Sequence, residues 1–237
     1  MTTTTTSTLI SARVAGLMYL AIIAIGLFGE AFVRGSLVVS GDAAATASNI
    51  LGSRQLWRTG LSMDLLMHVL DVPLIVFFYL LLRQVNQPLA LLATVFNIVQ
   101  TSVLAINKLT LIAALSLLES KVLATSLIDG QALALVAIGL HGYGFAIGLI
   151  FFGCTCVVRG YLILKSGYVP RALGWLLGLA GVGYLVNSFA LLLSPPLASM
   201  LFPAVLLPAF VGELALALWL LFVNEGTLRQ RRESALA

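Results

Sequence analysis

The chain has 237 residues, of which 60% are hydrophobic and only 9% are charged. A soluble domain carries about 25% charged residues, so too few charges are present to cover a water-exposed surface of this size. The hydrophobic residues also come in long blocks, which indicates lipid as the solvent and argues against a soluble α/β or helical-bundle fold. The formal net charge is +4, but the basic residues lie in short connections and tails. We therefore expect no nucleic-acid binding.

Six hydrophobic segments predict six membrane-spanning helices in one all-α bundle, each close to the ~20 residues needed to cross a bilayer. Their predicted limits are 12–33, 59–82, 88–106 or beyond, 132–158, 172–193 and 201–223. We predict a disordered Thr-rich N-terminus (1–11), a six-helix transmembrane domain (12–224) and a basic cytoplasmic tail (225–237) that contacts anionic lipid. The first segment follows no basic region and no small-residue cleavage site, so it is predicted to be a retained helix.

The basic residues predict the orientation in the membrane. With the N-terminus inside, eight of them lie on the inner side and four on the outer side. The inner residues are Arg13, Arg83, Arg159, Lys165, Arg171, Arg229, Arg231 and Arg232, and the outer residues are Arg34, Arg54, Arg58 and Lys121. Because cytoplasmic connections are enriched in Lys and Arg, both termini are predicted to be cytoplasmic. Lys108 is predicted to snorkel to the outer interface, with Glu30 as one candidate partner.

Two connections on the predicted outer side contain residues that indicate short local structures. In the connection 35–60, Asp42 is a suitable N-cap for a short helix through AAATASNIL. The segment 116–130 predicts a second cap on the outer surface. Within the helices, small residues at helical spacing predict close helix contacts; they are Gly144, Gly148, Gly174, Gly178 and Gly181. Cys154 and Cys156 point to different sides of a helix, so we expect no disulfide between them.

The stretch SMDLLMHVLDVP (62–73) places Asp64, His68 and Asp71 on one face of the second helix. At 1.5 Å per residue, Asp71 lies about 18 Å, His68 about 22 Å and Asp64 about 28 Å above the inner boundary at Arg83. The hydrocarbon core is ~30 Å thick, so Asp71 is near its middle. A charge at that depth is costly unless it is paired or wet, so these residues are predicted to face the bundle interior.

The same count puts most other polar residues in the outer half. We therefore predict a polar cavity that opens outward above an apolar plug. Its predicted lining is Asp64, His68, Asp71, Gln100, His141, Asn187 and Glu213. The predicted function is binding or transport of a small solute or ion, with Asp71 and Glu213 as the central charged groups. Glu213 would be a proton carrier or a neutral hydrogen-bond donor.

Two other functions fit the same residues. Asp64, His68, Asp71 and His141 are suitable ligands for zinc or manganese, which would make an intramembrane metal-dependent enzyme acting on a lipid-like substrate. Alternatively, the polar residues satisfy one another in an accessory protein that stabilises a partner. Haem ligation by His68 and His141 is the least expected option, and no cofactor is required. The sequence has no Walker, dinucleotide-binding or G-x-S-x-G motif, and it leaves the oligomeric state open.

Several stretches resemble one known family. They are ARVAGLMYL (12–20), GDAAATASNIL (41–51), LALLATVFNIVQ (89–100), IGLIFFG (147–153) and GYLILKSGYVPRALGWLLGLAGVGYLVNSF (160–189). Together they are similar to the bacterial membrane proteins of the domain of unknown function 4386 family, over residues 12–223. The motif KSGYVPR-x-LG is the most specific part. The resemblance implies a multi-helix bacterial membrane protein, so we expect it in the bacterial cytoplasmic membrane. The family carries no established activity, so the resemblance implies no catalytic residue.

Overall fold

The computed structural model describes residues 11–124, 127–201 and 203–236, and these residues form helices and no strand. The predicted disordered segment 1–11 lies outside them, except for Ser11. We number the helices α1 (Ala12–Leu37), α2 (Ala43–Gly52), α3 (Arg54–Leu82), α4 (Gln87–Leu118), α5 (Lys121–Ala124), α6 (Gly130–Ser166), α7 (Arg171–Leu193), α8 (Pro195–Leu201), α9 (Ala204–Phe222) and α10 (Glu225–Leu236). Six of them, α1, α3, α4, α6, α7 and α9, are long and apolar enough to cross a membrane, which confirms the predicted fold class.

Local capping explains where several helices begin. Asp42 Oδ1 accepts a hydrogen bond of 2.9 Å from the Ala45 amide, so the predicted N-cap of α2 is confirmed. Asn86 caps α4 in the same way, with Pro88 in the first turn. Asp129 accepts bonds from two amides at the start of α6. The predicted cap at 116–130 is in part the short helix α5, and residues 125 and 126 lie outside the described ones.

The six long helices form a closed ring of alternating direction. Contacts follow the order α1, α3, α4, α6, α7, α9, and α9 returns to α1. Because the directions alternate, one end of the ring holds the start of α1 and the end of α9. We call this the terminal end, and the opposite one the far end. A buried apolar core fills the terminal half and includes Tyr19, Phe78, Leu162 and Leu216.

Glycines at the interface between α6 and α7 allow the backbones of the two helices to pack directly against each other. A Cβ built on Gly160 would lie 2.7 Å from the Gly174 carbonyl oxygen, and one on Gly153 would lie 2.9 Å from that of Gly181. Of the predicted packing glycines, Gly174 and Gly181 are confirmed at this interface, and Gly144 and Gly148 face α4 side chains. A Cβ on Gly178 would meet nothing within 4 Å among the described residues, although a Cβ on Gly160 would lie 2.8 Å from the Gly178 amide nitrogen.

We predict that Gly160→Ala lowers the stability of the protein by about 1–3 kcal/mol, because the new methyl group forces α6 and α7 apart. Thermal unfolding of the detergent-solubilised protein measures the loss. Gly139→Ala is the matched control on the same helix, since a Cβ there meets no atom within 4 Å. Equal unfolding temperatures for the two variants would contradict the backbone contact.

The family-like motif at 165–171 builds the connection from α6 to α7. Gly167 has φ 73°, a left-handed conformation that ends α6. The buried Tyr168 hydroxyl donates to the Leu81 carbonyl oxygen at 2.5 Å. Burial raises the pKa of Tyr168 to about 12, with the Arg232 guanidinium acting in the opposite direction, so the hydroxyl remains a donor at neutral pH. The motif therefore fixes the terminal end of the ring.

The predicted basic tail forms α10, which folds back on this end. Arg232 donates a 2.7 Å hydrogen bond to the Leu80 carbonyl oxygen, and Leu228 is buried. Two shallow surface depressions of about 390 and 410 Å³ lie beside the helix. Contact of this tail with lipid stays a prediction.

Candidate functional site

Every long helix contributes a polar side chain to the ring interior near mid-height. Asp71, for example, lies about 16 Å from the end of α3 at Leu82, half of the ~30 Å thickness of a bilayer core. We call this group the central cluster. It consists of Tyr19 (α1), Asp71 (α3), Asn97 and Gln100 (α4), Arg159 (α6), Tyr184 (α7) and Glu213 (α9).

Arg159 is the positive charge of the central cluster. It is 5% exposed, donates from Nη2 to Asn97 Oδ1 at 2.5 Å, and its guanidinium carbon lies 4.5 Å from the centre of the Phe78 ring. Asp71 and Glu213 attract it electrostatically, although neither forms an ion pair with it among the described residues. The sequence prediction that Arg159 lies in an inner connection is wrong, because α6 continues past it to Ser166.

The two carboxyls of the central cluster are held by neutral partners. Glu213 accepts hydrogen bonds from the Tyr19 hydroxyl at 3.1 Å and from the Tyr184 hydroxyl, one at each carboxyl oxygen. Asp71 Oδ2 accepts from Asn97 Nδ2 at 3.3 Å, and the same amide donates to Gln100 Oε1 at 2.7 Å. Asp71 and Glu213 also repel each other electrostatically. Two acids therefore share the neighbourhood of one guanidinium.

A second group, the ion-pair cluster, lies nearer the far end and consists of Glu30, Arg34, Asp64 and Lys108. Asp64 Oδ2 accepts from Arg34 Nη1 at 2.7 Å and from Lys108 Nζ at 2.9 Å. Arg34 also bonds Glu30 at 2.8 Å within a π-helical segment, Phe28–Arg34. Lys108 is 2% exposed, so the prediction that it snorkels to the interface is wrong. The ion pair with the buried Asp64 carboxylate holds the Lys108 ammonium group inside the ring, away from water at the interface.

The two histidines lie between α3, α4 and α6. His68 Nδ1 is 3.2 Å from Thr101 Oγ1, and His141 Nδ1 is 3.0 Å from Asn107 Nδ2. The Nε2 atom of each ring is buried and has no hydrogen-bond partner among the residues that the structure describes. Neither ring bonds one of the predicted carboxylate ligands.

The four predicted metal ligands are therefore divided between different contacts. Asp64 bonds two cations, Asp71 bonds an amide, and His68 and His141 bond neutral partners. Within the ranges that the structure describes, no three His, Cys, Asp or Glu residues are placed to hold a metal ion. The metal site stays a prediction.

Five of the seven predicted cavity residues are buried by packing, and Asp71 and Asn187 are half-buried. Asp64, His68, Gln100, His141 and Glu213 each expose 9% or less of their surface. Gln100 and Glu213 belong to the central cluster, whereas Asn187 is half-buried and joins neither cluster. The outer-facing cavity also stays a prediction.

Cys154 and Cys156 are free thiols, as predicted.

Seven of the eleven residues in the two clusters lie outside the predicted site, and two of these seven had a visible signal in the sequence. The seven are Tyr19, Glu30, Arg34, Asn97, Lys108, Arg159 and Tyr184. Arg159 is followed by the apolar run Tyr161–Leu164, and Lys108 by Leu109–Leu118. Hydrophobic sequence on both sides of a basic residue indicates that the helix continues through it. Asn97, Tyr19 and Tyr184 had no such signal, because an amide or a phenol is unremarkable in an apolar helix.

With Arg159 and Arg34 assigned to the two clusters of the ring interior, seven basic residues remain on the side that holds both termini and three on the other. The charge bias that predicts cytoplasmic termini therefore has the same sign as before. The orientation itself stays a prediction.

Comparison with known proteins identifies the family of this chain but indicates no activity for it. An uncharacterised protein of Archaeoglobus fulgidus is 29% identical over 154 residues, which cover 64% of this chain and 75% of that protein. No solved structure matches the chain. The profile of a family described as a domain of unknown function (DUF4386) matches residues 14–223, nearly the whole ring. The chain belongs to the domain of unknown function 4386 family.

Proposed function

We propose that this multi-pass protein moves a small solute through the membrane and that the central cluster exchanges a proton during the cycle. One observation carries the proposal: two carboxyls and one guanidinium lie together in the ring interior at mid-height. Ionisable groups at that depth are costly, and in membrane proteins they commonly line ion and proton paths.

The charge balance of the central cluster supports proton exchange. The Arg159 guanidinium remains positive under all physiological conditions. With both Asp71 and Glu213 ionised, the cluster would carry one uncompensated negative charge in a low-dielectric interior. One proton shared by the two acids makes the cluster neutral. The cluster therefore holds one exchangeable proton in the resting protein.

The hydrogen bonds of Glu213 link this proton to helix packing. The bond from Tyr19 joins α9 to α1, and the bond from Tyr184 joins α9 to α7. An ionised carboxylate accepts from both hydroxyls, whereas a protonated one uses one oxygen as a donor. Because a tyrosine hydroxyl can also accept, gain or loss of the proton reverses the direction of one of these hydrogen bonds and so alters the contact between α9 and a neighbouring helix.

The test is a pH step applied to proteoliposomes adsorbed on a solid-supported membrane. Proton binding at mid-membrane moves charge, so we expect a transient current in the wild-type protein. Glu213→Gln removes one acid and leaves Arg159 balanced by Asp71 alone, so this variant is expected to lose most of the current. Asp71→Asn is expected to act in the same direction.

Glu30→Gln is the matched control, because the Glu30 side chain is 68% exposed and lies outside the central cluster. It is expected to keep the wild-type current. A wild-type current no larger than that of protein-free liposomes would refute proton exchange, and so would an unchanged current in Glu213→Gln.

A purely structural role is the second candidate, and the ion-pair cluster favours it. Asp64 bonds Arg34 and Lys108 at once and so fastens α1, α3 and α4 together. Such a cluster stabilises a fixed arrangement. An accessory protein would need this rigidity and no exchangeable proton, so the pH-step current separates the two candidates.

A further inference from the structure

We propose that the far half of the ring binds a small monovalent anion, with the Lys108 ammonium and the His141 Nε2–H group as its hydrogen-bond donors. This inference rests on the proposed function and deepens it, because it names the chemical class of the solute. Chloride and formate represent the class.

The buried charges near the far end sum to a positive value. Arg34 and Lys108 share a single buried carboxylate, Asp64. Glu30 also pairs with Arg34 at 2.8 Å, but its side chain is 68% exposed, so this pair is solvated and compensates the buried charge only weakly. One positive charge is left without a buried partner, and a monovalent anion would compensate it. A proton in the central cluster and an anion here would together cross the membrane without net charge.

The Lys108 ammonium group has more hydrogen-bond donors than it has acceptors among the described residues. It carries three N–H bonds and, among the described residues, has one acceptor, Asp64 Oδ2 at 2.9 Å. Lys108 is 2% exposed, so bulk water does not satisfy the other two. Unsatisfied donors on a buried cation are costly, and an anion is the strongest acceptor that could fill them.

The tautomer of His141 follows from its neighbours. Asn107 Nδ2 lies 2.8 Å from the His141 carbonyl oxygen, which can only accept, so this end of the amide is its NH₂ group. The same NH₂ group is 3.0 Å from His141 Nδ1, which therefore accepts. In a neutral ring the proton is then on Nε2. That N–H is buried, in a side chain 5% exposed, and has no partner within the described part of the chain.

The donors belong to one neighbourhood. Asn107, which holds the His141 ring, directly precedes Lys108 in α4. Lys108 and Arg34 both act electrostatically on the His141 ring. An anion among them would meet two hydrogen-bond donors and two positive charges. A divalent metal ion would meet the same positive charges, which is why an anion fits this half of the ring better.

The test is isothermal titration calorimetry of sodium formate and of sodium chloride into the detergent-purified full-length protein, with sodium gluconate as the bulky-anion blank. We expect saturable binding to the wild type, weakened about tenfold or more in Lys108→Gln and in His141→Phe. Lys165→Gln changes an exposed lysine and is expected to bind like the wild type.

His141→Phe leaves all three ion pairs of the ion-pair cluster intact, so it keeps the test decisive if Lys108→Gln fails to fold. Absence of saturable heat for both salts would overturn the inference, as would wild-type affinity in folded His141→Phe. Failure of the proposed function has a different signature. His141→Phe keeps the central cluster, so an intact pH-step current with no anion binding removes the anion site alone, whereas anion binding with no current removes proton exchange alone.

Discussion

Replacing Asp64 by Ala is expected to lower the free energy of unfolding by about 3–5 kcal/mol, the typical cost of leaving a buried charge unpaired. Both Lys108 and Arg34 lose the same carboxylate oxygen, and Lys108 has no other acceptor among the described residues. Lys108 is 2% exposed, so water cannot replace that partner without opening the ring. Reversible unfolding in mixed micelles measures the change.

Glu119→Gln provides the surface comparison. Glu119 pairs with Arg54 at 3.4 Å and with Arg58 at 3.0 Å, and both arginine side chains are more than half exposed. Exposed pairs contribute about 0–1 kcal/mol, so this variant should unfold almost like the wild type. The double variant Asp64→Ala, Lys108→Met should lose less than the two single losses added together, because it removes one stranded charge. Additive losses would show that the pair is not coupled.

Replacing Arg159 by Met is expected to destabilise the protein by about 3 kcal/mol or more and to abolish the wild-type pH-step current. The substitution removes the cation that balances Asp71 and Glu213 and leaves Asn97 Oδ1 without its donor. Arg171→Met is the control. Arg171 is exposed at the start of α7, and its loss should change stability by less than about 0.5 kcal/mol.

A double-mutant cycle distinguishes charge balance from loss of packing against Phe78. If Arg159 acts as the counter-ion, Glu213→Gln should restore part of the stability lost in Arg159→Met, since one unbalanced acid is removed with it. If Arg159 acts through its contact with the ring of Phe78, the second substitution should add its own loss. The unfolding free energies of the four proteins decide between the two.

The fold was largely predictable from the sequence, because hydrophobic segment length reports directly on membrane crossing. All six long helices were predicted, and Asp42 marked the start of α2 through its side-chain chemistry. The ends of helices were less predictable. The interpretation treated Arg159 as a boundary, whereas the helix continues because Asn97 and Phe78 accommodate the guanidinium.

The sequence predicted several residues of the site and their depth in the membrane, but not which of them lie next to one another. The position of Asp71 and Glu213 at mid-membrane follows from counting residues along a helix. Their grouping around Arg159 depends on the order of helices around the ring, which no local pattern encodes. The stripe of Asp64, His68 and Asp71 looked like one site, yet its members contact three separate residues of α4, and Asp64 alone also reaches α1. Asp64 meets α1 and α4, while Asp71 bonds Asn97 in α4.

The contact between α1 and α9 also constrains biosynthesis. A Cβ on Gly16 would lie 2.9 Å from the Ala217 carbonyl oxygen, so the first and last spans pack backbone against backbone. Helix α1, the first span to be synthesised, can therefore complete its packing only after α9, the last span, has been inserted. During that interval Arg159 and Asp71 lack Glu213, and Tyr19 lacks its acceptor. A nascent chain arrested before α9 would present these polar groups to lipid, and membrane quality-control proteases should recognise it as unfinished.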